Sequence, residues 1–306
     1  MKYFLPLILL SLVHAQDGLL DVLEDDPEPP FPVMAAFKGT RVVNAQSLEI
    51  PRPSILQFMI QHRFGSIENG FYDLFGMDEA SIRFDLQYGF TERLALGVGR
   101  STLNKTYDLL LKTKLLRQMS GSKGFPVSVL WFSNIGVNTE RRSEIDPAVK
   151  DLFVNRISYA HQLIIGRKFN NSLSLEILPT IIHRNLVPTK DNEHDLYSIG
   201  VAGRWKLSNR FSLNFDHFSP IGDRNTSFQS GWGLGVDIET GGHVFQIMLT
   251  NARGSYEGAY IEEATGKLSE GTLYLGFNIS RAFSFANPDP SRWGLARILL
   301  LIFSEI

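Results

Sequence analysis

The sequence predicts an all-β protein, a transmembrane antiparallel up-and-down β-barrel of about twelve strands. The prediction depends on alternating apolar and polar residues, on connections of unequal length and on an apolar leader. The clearest strand is ASIRFDLQYGF, residues 80–90, in which Ile82 and Phe84 alternate with polar Arg83. Such alternation places one strand face in an apolar phase and the other in water.

The first 15 residues have the organisation of a signal peptide that is cleaved after Ala15. Lys2 precedes an apolar run that is too short to cross a bilayer as a helix, and a small-residue cleavage pattern follows. The alternative is a short N-terminal core helix. Residues 16–53 form an acidic, proline-rich N-terminal segment, which we expect to be a tether or an extended stretch tucked against the main domain.

Alternating segments recur throughout residues 54–283, the predicted barrel. They are residues 55–64, 80–90, 93–101, 107–118, 127–139, 155–169, 172–182, 196–207, 210–219, 231–239, 243–251 and 272–283. Each has roughly the ten residues that cross a bilayer at a tilt. An even number of strands returns both ends of the barrel to the same side of the membrane.

The connections favour lipid over a protein core as the apolar phase. Long segments such as ERRSEIDPAVKDLF alternate with tight turns such as GFTE, although LNKT is a short exception and MSGSKGFP is intermediate. Long loops on one rim and short turns on the other are typical of outer-membrane barrels. The alternative, a periplasmic or secreted all-β protein, gives no reason for this asymmetry.

Aromatic residues share the apolar parity of their strands, and several lie near strand ends. That placement predicts an aromatic girdle at the lipid interfaces. The girdle residues are Tyr88, Tyr159, Tyr197, Trp205, Phe211 and Trp232.

Charged residues take the opposite, lumen-facing parity. They are Arg63, Arg83, Asp85, Lys112, Lys114, Arg156, Glu176, Arg204, Lys206, Asp216, Asp237 and Glu239. Two interpretations stay open: these charges line a selective pore, or they pair with one another in a narrow, filled barrel. Both signs occur in similar numbers, so strong ion selectivity is not implied.

Composition excludes several function classes. A formal net charge of -2 gives no indication of nucleic-acid binding, and the absence of cysteine excludes disulfides, thiolate metal sites and cysteine catalysis. The seven histidines show no metal-ligand spacing, so we predict neither a metal nor a cofactor.

One pair of residues raises a catalytic alternative. His217 and Ser219 share the lipid-facing parity near a strand end, as in a lipid hydrolase that faces the outer leaflet, with Asn251 as a candidate third member. Because Pro220 follows at once and the spacing is incomplete, we predict no catalytic residue.

Several stretches resemble a family of bacterial β-barrel proteins known as domain of unknown function 5777. They are FKGTRVVNAQSLE, QHRFG, IRFDLQYGFTERLALGVGRS, KTYDLLLKTKLLRQ and PVSVLWFSNIGVNT, and the resemblance runs from about Phe37 to Phe283. It implies an outer-membrane barrel, with no reaction, ligand or functional residue to carry over.

The last strand, TLYLGFNISRAF, resembles the closing strand that the barrel-assembly machinery recognises, with Phe283 in the terminal position. The chain continues as an extension, residues 284–306, in which Pro288 and Pro290 break the strand. The extension is interpreted as an interfacial helix or as a segment with little structure of its own.

Three functions are consistent with these observations, all in the outer membrane. The first is a passive pore or transporter for small solutes. The second is a non-conducting barrel, filled by its own side chains, that displays loops or docks a periplasmic partner through residues 16–53. The third is the outer-leaflet lipid hydrolase.

Overall fold

A computed structural model describes residues 30–121, 124–141, 152–187, 193–222, 228–240 and 243–286. The predicted signal peptide, most of the acidic part of the N-terminal segment and most of the C-terminal extension lie outside these residues.

Within the described ranges, twelve antiparallel strands close into a barrel in which each strand pairs with its neighbours in sequence. The strands are β1 (Ile55–Ser66), β2 (Ala80–Gly89), β3 (Leu94–Ser101), β4 (Thr106–Leu116), β5 (Ser128–Asn138), β6 (Ile157–Lys168), β7 (Leu173–Arg184), β8 (Asp195–Lys206), β9 (Phe211–Ile221), β10 (Trp232–Thr240), β11 (His243–Thr250) and β12 (Tyr274–Ser284). β12 closes the barrel on β1, with Ile279 opposite Ile60. The predicted up-and-down barrel is therefore confirmed.

The alternation in β2 shows how the sequence forms these strands. Phe84 and Leu86 are exposed on the outer face, whereas Arg83 and Asp85 are almost completely buried in the lumen. Side chains that alternate across a strand place the apolar set outside, which is stable only where that face meets an apolar phase.

The two rims differ in the length of their connections. The long-loop rim carries residues 67–79, 102–105, 139–156, 185–194, 222–231 and 251–273, and the short-turn rim carries residues 90–93, 117–127, 169–172, 207–210 and 241–242. At the short-turn rim, Phe31–Pro32 also pairs with Met119–Ser120. No helix in the described part of the chain is long and apolar enough to cross a membrane.

Two segments occupy the lumen. Residues 37–50, called the lumen hairpin, enter from the short-turn rim, fold back and leave before β1, and most of their side chains are buried. Residues 251–266, called the capping loop, cover the long-loop end and contain one π-helical turn, Gly258–Glu262.

The lumen face of β4 to β9 is more apolar than the parity argument predicts. Buried apolar side chains there form one cluster with Phe37, Val42, Ala45 and Leu48 of the lumen hairpin. The wall residues of this cluster include Leu110, Leu130, Phe132, Ile164, Leu178, Ile182 and Phe218. The expectation that polar residues take the lumen parity is therefore wrong on this side, because the barrel has an internal core formed by its own N-terminal segment.

Candidate functional site

The charged residues predicted to face the lumen differ in how deeply they are buried in the barrel. Eight are almost completely buried inside the barrel: Arg63, Arg83, Asp85, Lys112, Glu176, Arg204, Asp216 and Asp237. Lys114, Lys206 and Glu239 are partly buried towards the short-turn rim. The placement of Arg156 in a strand was wrong: it ends a short 3₁₀ turn before β6, at the long-loop rim, where it donates to the carbonyl oxygens of Asn138 and Glu140.

The lumen hairpin is held together by its own backbone. The amide of Val42 donates to the carbonyl of Ala45 at 2.9 Å, and that of Ser47 donates to Thr40 at 3.0 Å. This tight reversal places Asn44 deep in the lumen. Its backbone groups are buried away from bulk water there, so they need hydrogen-bond partners from the barrel wall.

Asp216 on β9 supplies the partners for the tip of the lumen hairpin. Its carboxylate accepts the backbone amides of Asn44 at 2.5 Å and Ala45 at 2.7 Å. Arg63 on β1 donates to the side-chain oxygens of Asn44 at 3.1 Å and Asn278 at 3.0 Å. Two of the predicted lumen charges therefore bind this chain's own backbone and side chains.

Lys112 on β4 binds both arms of the lumen hairpin. Its ammonium donates to the carbonyl oxygens of Thr40 at 2.7 Å, Ser47 at 3.3 Å and Glu49 at 3.3 Å. On the second arm, Glu176 on β7 accepts the amide of Leu48, between Ser47 and Glu49, at 3.3 Å. A cation on three carbonyls fixes the spacing of the two arms.

Ion pairs at the short-turn rim anchor the base of the lumen hairpin. Lys38 pairs with Glu239, and Lys114 lies 3.8 Å from Glu49. Burial, together with the nearby charges of Arg204 and Lys206, lowers the pKa of Lys38.

A separate charge cluster lies on β2 and β4. Arg83 pairs with Asp108 and lies 3.1 Å from Asp85. Asp108 was absent from the predicted lumen charges, although it shares the parity of Lys112 in its own strand. A side chain at Gly99 would collide with the Arg83 guanidinium, so this glycine gives a large lumen side chain the room that it needs.

The lumen hairpin and the capping loop meet inside the barrel. Arg41 lies 3.2 Å from Glu257 in a fully buried ion pair, and Gln46 donates to the same carboxylate at 2.8 Å. The Arg41 guanidinium also lies 5.9 Å from the ring centre of Tyr260, which packs against Phe218. Sequence reasoning missed this contact, because no strand parity marks residues in loops.

Two cavities remain on either side of the filled region. The outer cavity, about 350 Å³, opens at the long-loop rim between β4, β5, β6 and the capping loop. The inner cavity, about 250 Å³, lies at the short-turn rim beside residues 33–40. The lumen hairpin and the capping loop separate the two.

The predicted girdle residues all lie on the outer face of the barrel. Three belong to strand ends at the short-turn rim and three to strand ends at the long-loop rim. The first three are Tyr88, Trp205 and Phe211, and the second three are Tyr159, Tyr197 and Trp232. The two sets lie at opposite ends of the strands, with apolar outer-face residues between them. Outer-membrane barrels place aromatic residues at both membrane interfaces in the same way.

The candidate hydrolase residues are only partly brought together. His217 Nε2 lies 3.0 Å from Ser219 Oγ on the outer face of β9. Asn251 is buried on the inner side, where it binds the backbone of Trp232, Ser230 and Gly266, so it does not orient the imidazole. Within the described residues, no group of three His, Asp or Glu side chains could hold a metal ion.

The chain is similar to several solved structures, each at low sequence identity. A NanC porin has 9% identity and a TM-score of 0.46, covering 75% of this chain and 98% of its own. A KdgM porin has 7% identity and a TM-score of 0.43, covering 76% and 99%. The outer membrane protein Omp33 of Acinetobacter baumannii has 10% identity and a TM-score of 0.40, covering 74% and 97%.

No curated protein matches the chain in sequence. A family described as "Membrane bound beta barrel domain (DUF5777)" matches residues 37–283. This match covers the lumen hairpin and the twelve strands as far as Phe283. The chain belongs to this family of membrane-bound β-barrels.

Proposed function

We propose that this protein is an outer-membrane barrel that does not conduct in its resting state and that acts through its exposed rims. The observation that carries the proposal is the lumen hairpin, which fills the barrel from within and meets the capping loop at the Arg41–Glu257 pair. The predicted signal peptide supports export to the outer membrane, and the closing strand β12 supports assembly by the barrel-assembly machinery.

The energetics support a stable closure. Phe37, Val42 and Leu48 are nearly fully buried against the apolar wall, and burying a side chain of this size contributes about 1.5–3 kcal/mol. Withdrawal would also leave Asp216 and Lys112 without the backbone partners described above. Water that enters the vacated lumen compensates part of this loss, so the apolar burial is the larger cost that keeps spontaneous opening rare.

A second candidate is a channel for small solutes that opens when the lumen hairpin moves. It is supported by the polar contacts of the hairpin tip with β1 and β9 and by the cavities at both ends. Polar contacts can be exchanged for water at lower cost than apolar ones, so one side of the hairpin is suited to release.

A disulfide lock distinguishes the two candidates. A Cβ at Gly235 would lie 3.4 Å from Val43 Cγ2, a spacing compatible with a disulfide between residues 43 and 235. Because the chain has no cysteine, the double variant V43C/G235C forms a single defined crosslink. Single-channel current is recorded in a planar bilayer before and after reduction, with V43C alone as the control.

We expect no stable conductance from the wild type, and none from the V43C/G235C variant in either its oxidised or its reduced form. Conductance that appears only after reduction would support the gated channel. Stable conductance that the oxidised lock leaves unchanged would contradict both candidates. Heat-modifiable gel mobility verifies that each protein is a folded barrel.

A periplasmic partner would dock on a shorter part of the N-terminal segment than residues 16–53. Residues 37–50 are inside the barrel, so the chain before Phe37 is the part of the N-terminal segment that is left for a partner. Phe31 and Met34 are each about half exposed at the short-turn rim, which supports a contact there.

A further inference from the structure

The outer cavity has the size and position of a ligand site. Its volume of about 350 Å³ is within the range of small-molecule pockets. Tyr256, Gly258 and Glu263 of the capping loop form one of its walls, and the lumen hairpin occupies the lumen beyond it. This step depends on the closed lumen of the proposed function.

Its lining is rich in amides and hydroxyls. The polar wall residues include Asn104, Thr106, Asn134, Asn138, Ser158 and Tyr256. Asn104 and Asn134 each donate one hydrogen bond within the wall, to Tyr256 and Asp108. Amides and hydroxyls carry further donors and acceptors, which is the pattern that a solute with several hydroxyl groups requires.

Three of the five charged side chains that line the outer cavity, Asp108, Arg184 and Glu263, are held in ion pairs. Asp108 pairs with Arg83, and Arg184 lies 2.7 Å from both Glu262 and Glu263. Burial, followed by the neighbouring Glu263 carboxylate, raises the pKa of Tyr256, so its hydroxyl stays neutral. A charged ligand would therefore have to compete with existing ion pairs, whereas a neutral ligand would not.

One wall of the outer cavity is formed by a glycine. A Cβ at Gly136 would lie 3.1 Å from Ser158 Oγ, 3.6 Å from Thr106 Cγ2 and 3.8 Å from Asn134 Oδ1. Two polar oxygens and the methyl group of Thr106 thus border the space that this glycine leaves open.

We propose that the outer cavity binds a neutral, polyhydroxylated solute of the size of a sugar, through the amides and hydroxyls around Gly136. Ser158 and Asn134 contact the ligand from the barrel wall, and Tyr256 contacts it from the capping loop. The site lies on the long-loop rim, so it takes its ligand from the side of the membrane that this rim faces.

The test is saturation-transfer difference NMR on the purified full-length barrel in a detergent without a sugar headgroup. Glucose and sucrose are the neutral probes, and glucuronate and glucosamine are the anionic and cationic probes of matched size. Glucose and sucrose are expected to receive saturation from the protein, and the two charged probes are expected to receive less.

Two variants locate the binding. G136L fills the cavity from its wall and is expected to abolish the glucose signal, whereas V137L, on the outer face of the same strand, is its matched control. S158A removes one hydroxyl and is expected to weaken glucose binding about threefold to tenfold, the loss of a neutral hydrogen bond.

An unchanged glucose signal in G136L would overturn the site, and a stronger signal from glucuronate than from glucose would overturn the ligand class. If the barrel conducts but glucose binding still depends on Gly136, the proposed function fails and this inference survives. If the barrel is silent and no neutral probe binds, the inference fails alone.

Discussion

Asp216 anchors the tip of the lumen hairpin, since its carboxylate accepts two backbone amides there. Both backbone amides bind Oδ2, and the Asn44 side-chain amide donates to Oδ1 at 3.3 Å. In D216N the NH2 group would replace one of these two oxygens, so either the backbone amides or the Asn44 side-chain amide would lose its acceptor. A buried donor that loses its partner costs about 1–3 kcal/mol. We expect the lumen hairpin to open more often.

The measurement is the rate at which a maleimide labels a single cysteine at position 43, which is fully buried in the closed barrel. D216N is expected to raise this rate about tenfold or more. D195A, which changes an exposed carboxylate at the start of β8, is the matched control. Equal rates in both variants would contradict the anchoring role of Asp216.

For the His217 and Ser219 pair we predict the absence of an activity, namely lipid hydrolysis. Among the described residues, the hydrogen-bond partner of the His217 ring is Ser219 itself, so this part of the chain supplies no third element of the kind that a hydroxyl nucleophile normally needs. We expect the wild type to release no fatty acid from phospholipid micelles. Fatty-acid release that disappears in H217A would show that the pair is catalytic after all.

At the scale of single residues, strand parity predicted which charges enter the lumen but not what they bind. Arg63, Lys112 and Glu176 are inside the barrel as expected, yet their partners lie in the N-terminal segment, far away in sequence. Alternation reports which face a side chain is on, and it contains no information about a segment that enters from outside the sheet.

At the scale of elements, the lumen hairpin and the capping loop depend on one another through Glu257. E257Q preserves the shape of the side chain and its contact with Gln46 but removes the charge that Arg41 needs. Breaking a buried ion pair from one side costs about 3–5 kcal/mol. We therefore expect both segments to loosen together.

The temperature at which the barrel loses its compact gel mobility should fall in E257Q, and labelling of the cysteine at position 43 should accelerate. E270Q, in an exposed part of the same connection, should change neither. An E257Q barrel that is as stable and as slowly labelled as the wild type would indicate that the two segments close the lumen independently.

The elements themselves were predictable because each strand repeats the same local pattern. Loops have no such periodicity, which is why the burial of Tyr260 and Ile261 in the capping loop could not be predicted. The apolar lumen face of β5 and β7 was missed for a related reason. Leu130 and Leu178 occupy positions that parity assigns to the lumen, but their apolar character is explained only by the lumen hairpin that packs on them.

At the scale of the whole molecule, the unequal rims predict the orientation of the barrel in the membrane. Long loops of outer-membrane barrels face outwards and short turns face the periplasm. Because the chain has no cysteine, a single cysteine on each rim reports its side without background. Leu268, 71% exposed on the long-loop rim, and Arg93, exposed on the short-turn rim, are suitable positions.

A membrane-impermeant maleimide is expected to label L268C in intact cells and R93C only after the outer membrane is permeabilised. That result would place the mouth of the outer cavity on the cell surface, where it meets solutes before any other part of the protein. It would also place the base of the lumen hairpin in the periplasm, within reach of a partner. The reverse labelling would exchange these roles, because the cavity would then face the periplasm and the N-terminal chain the cell exterior.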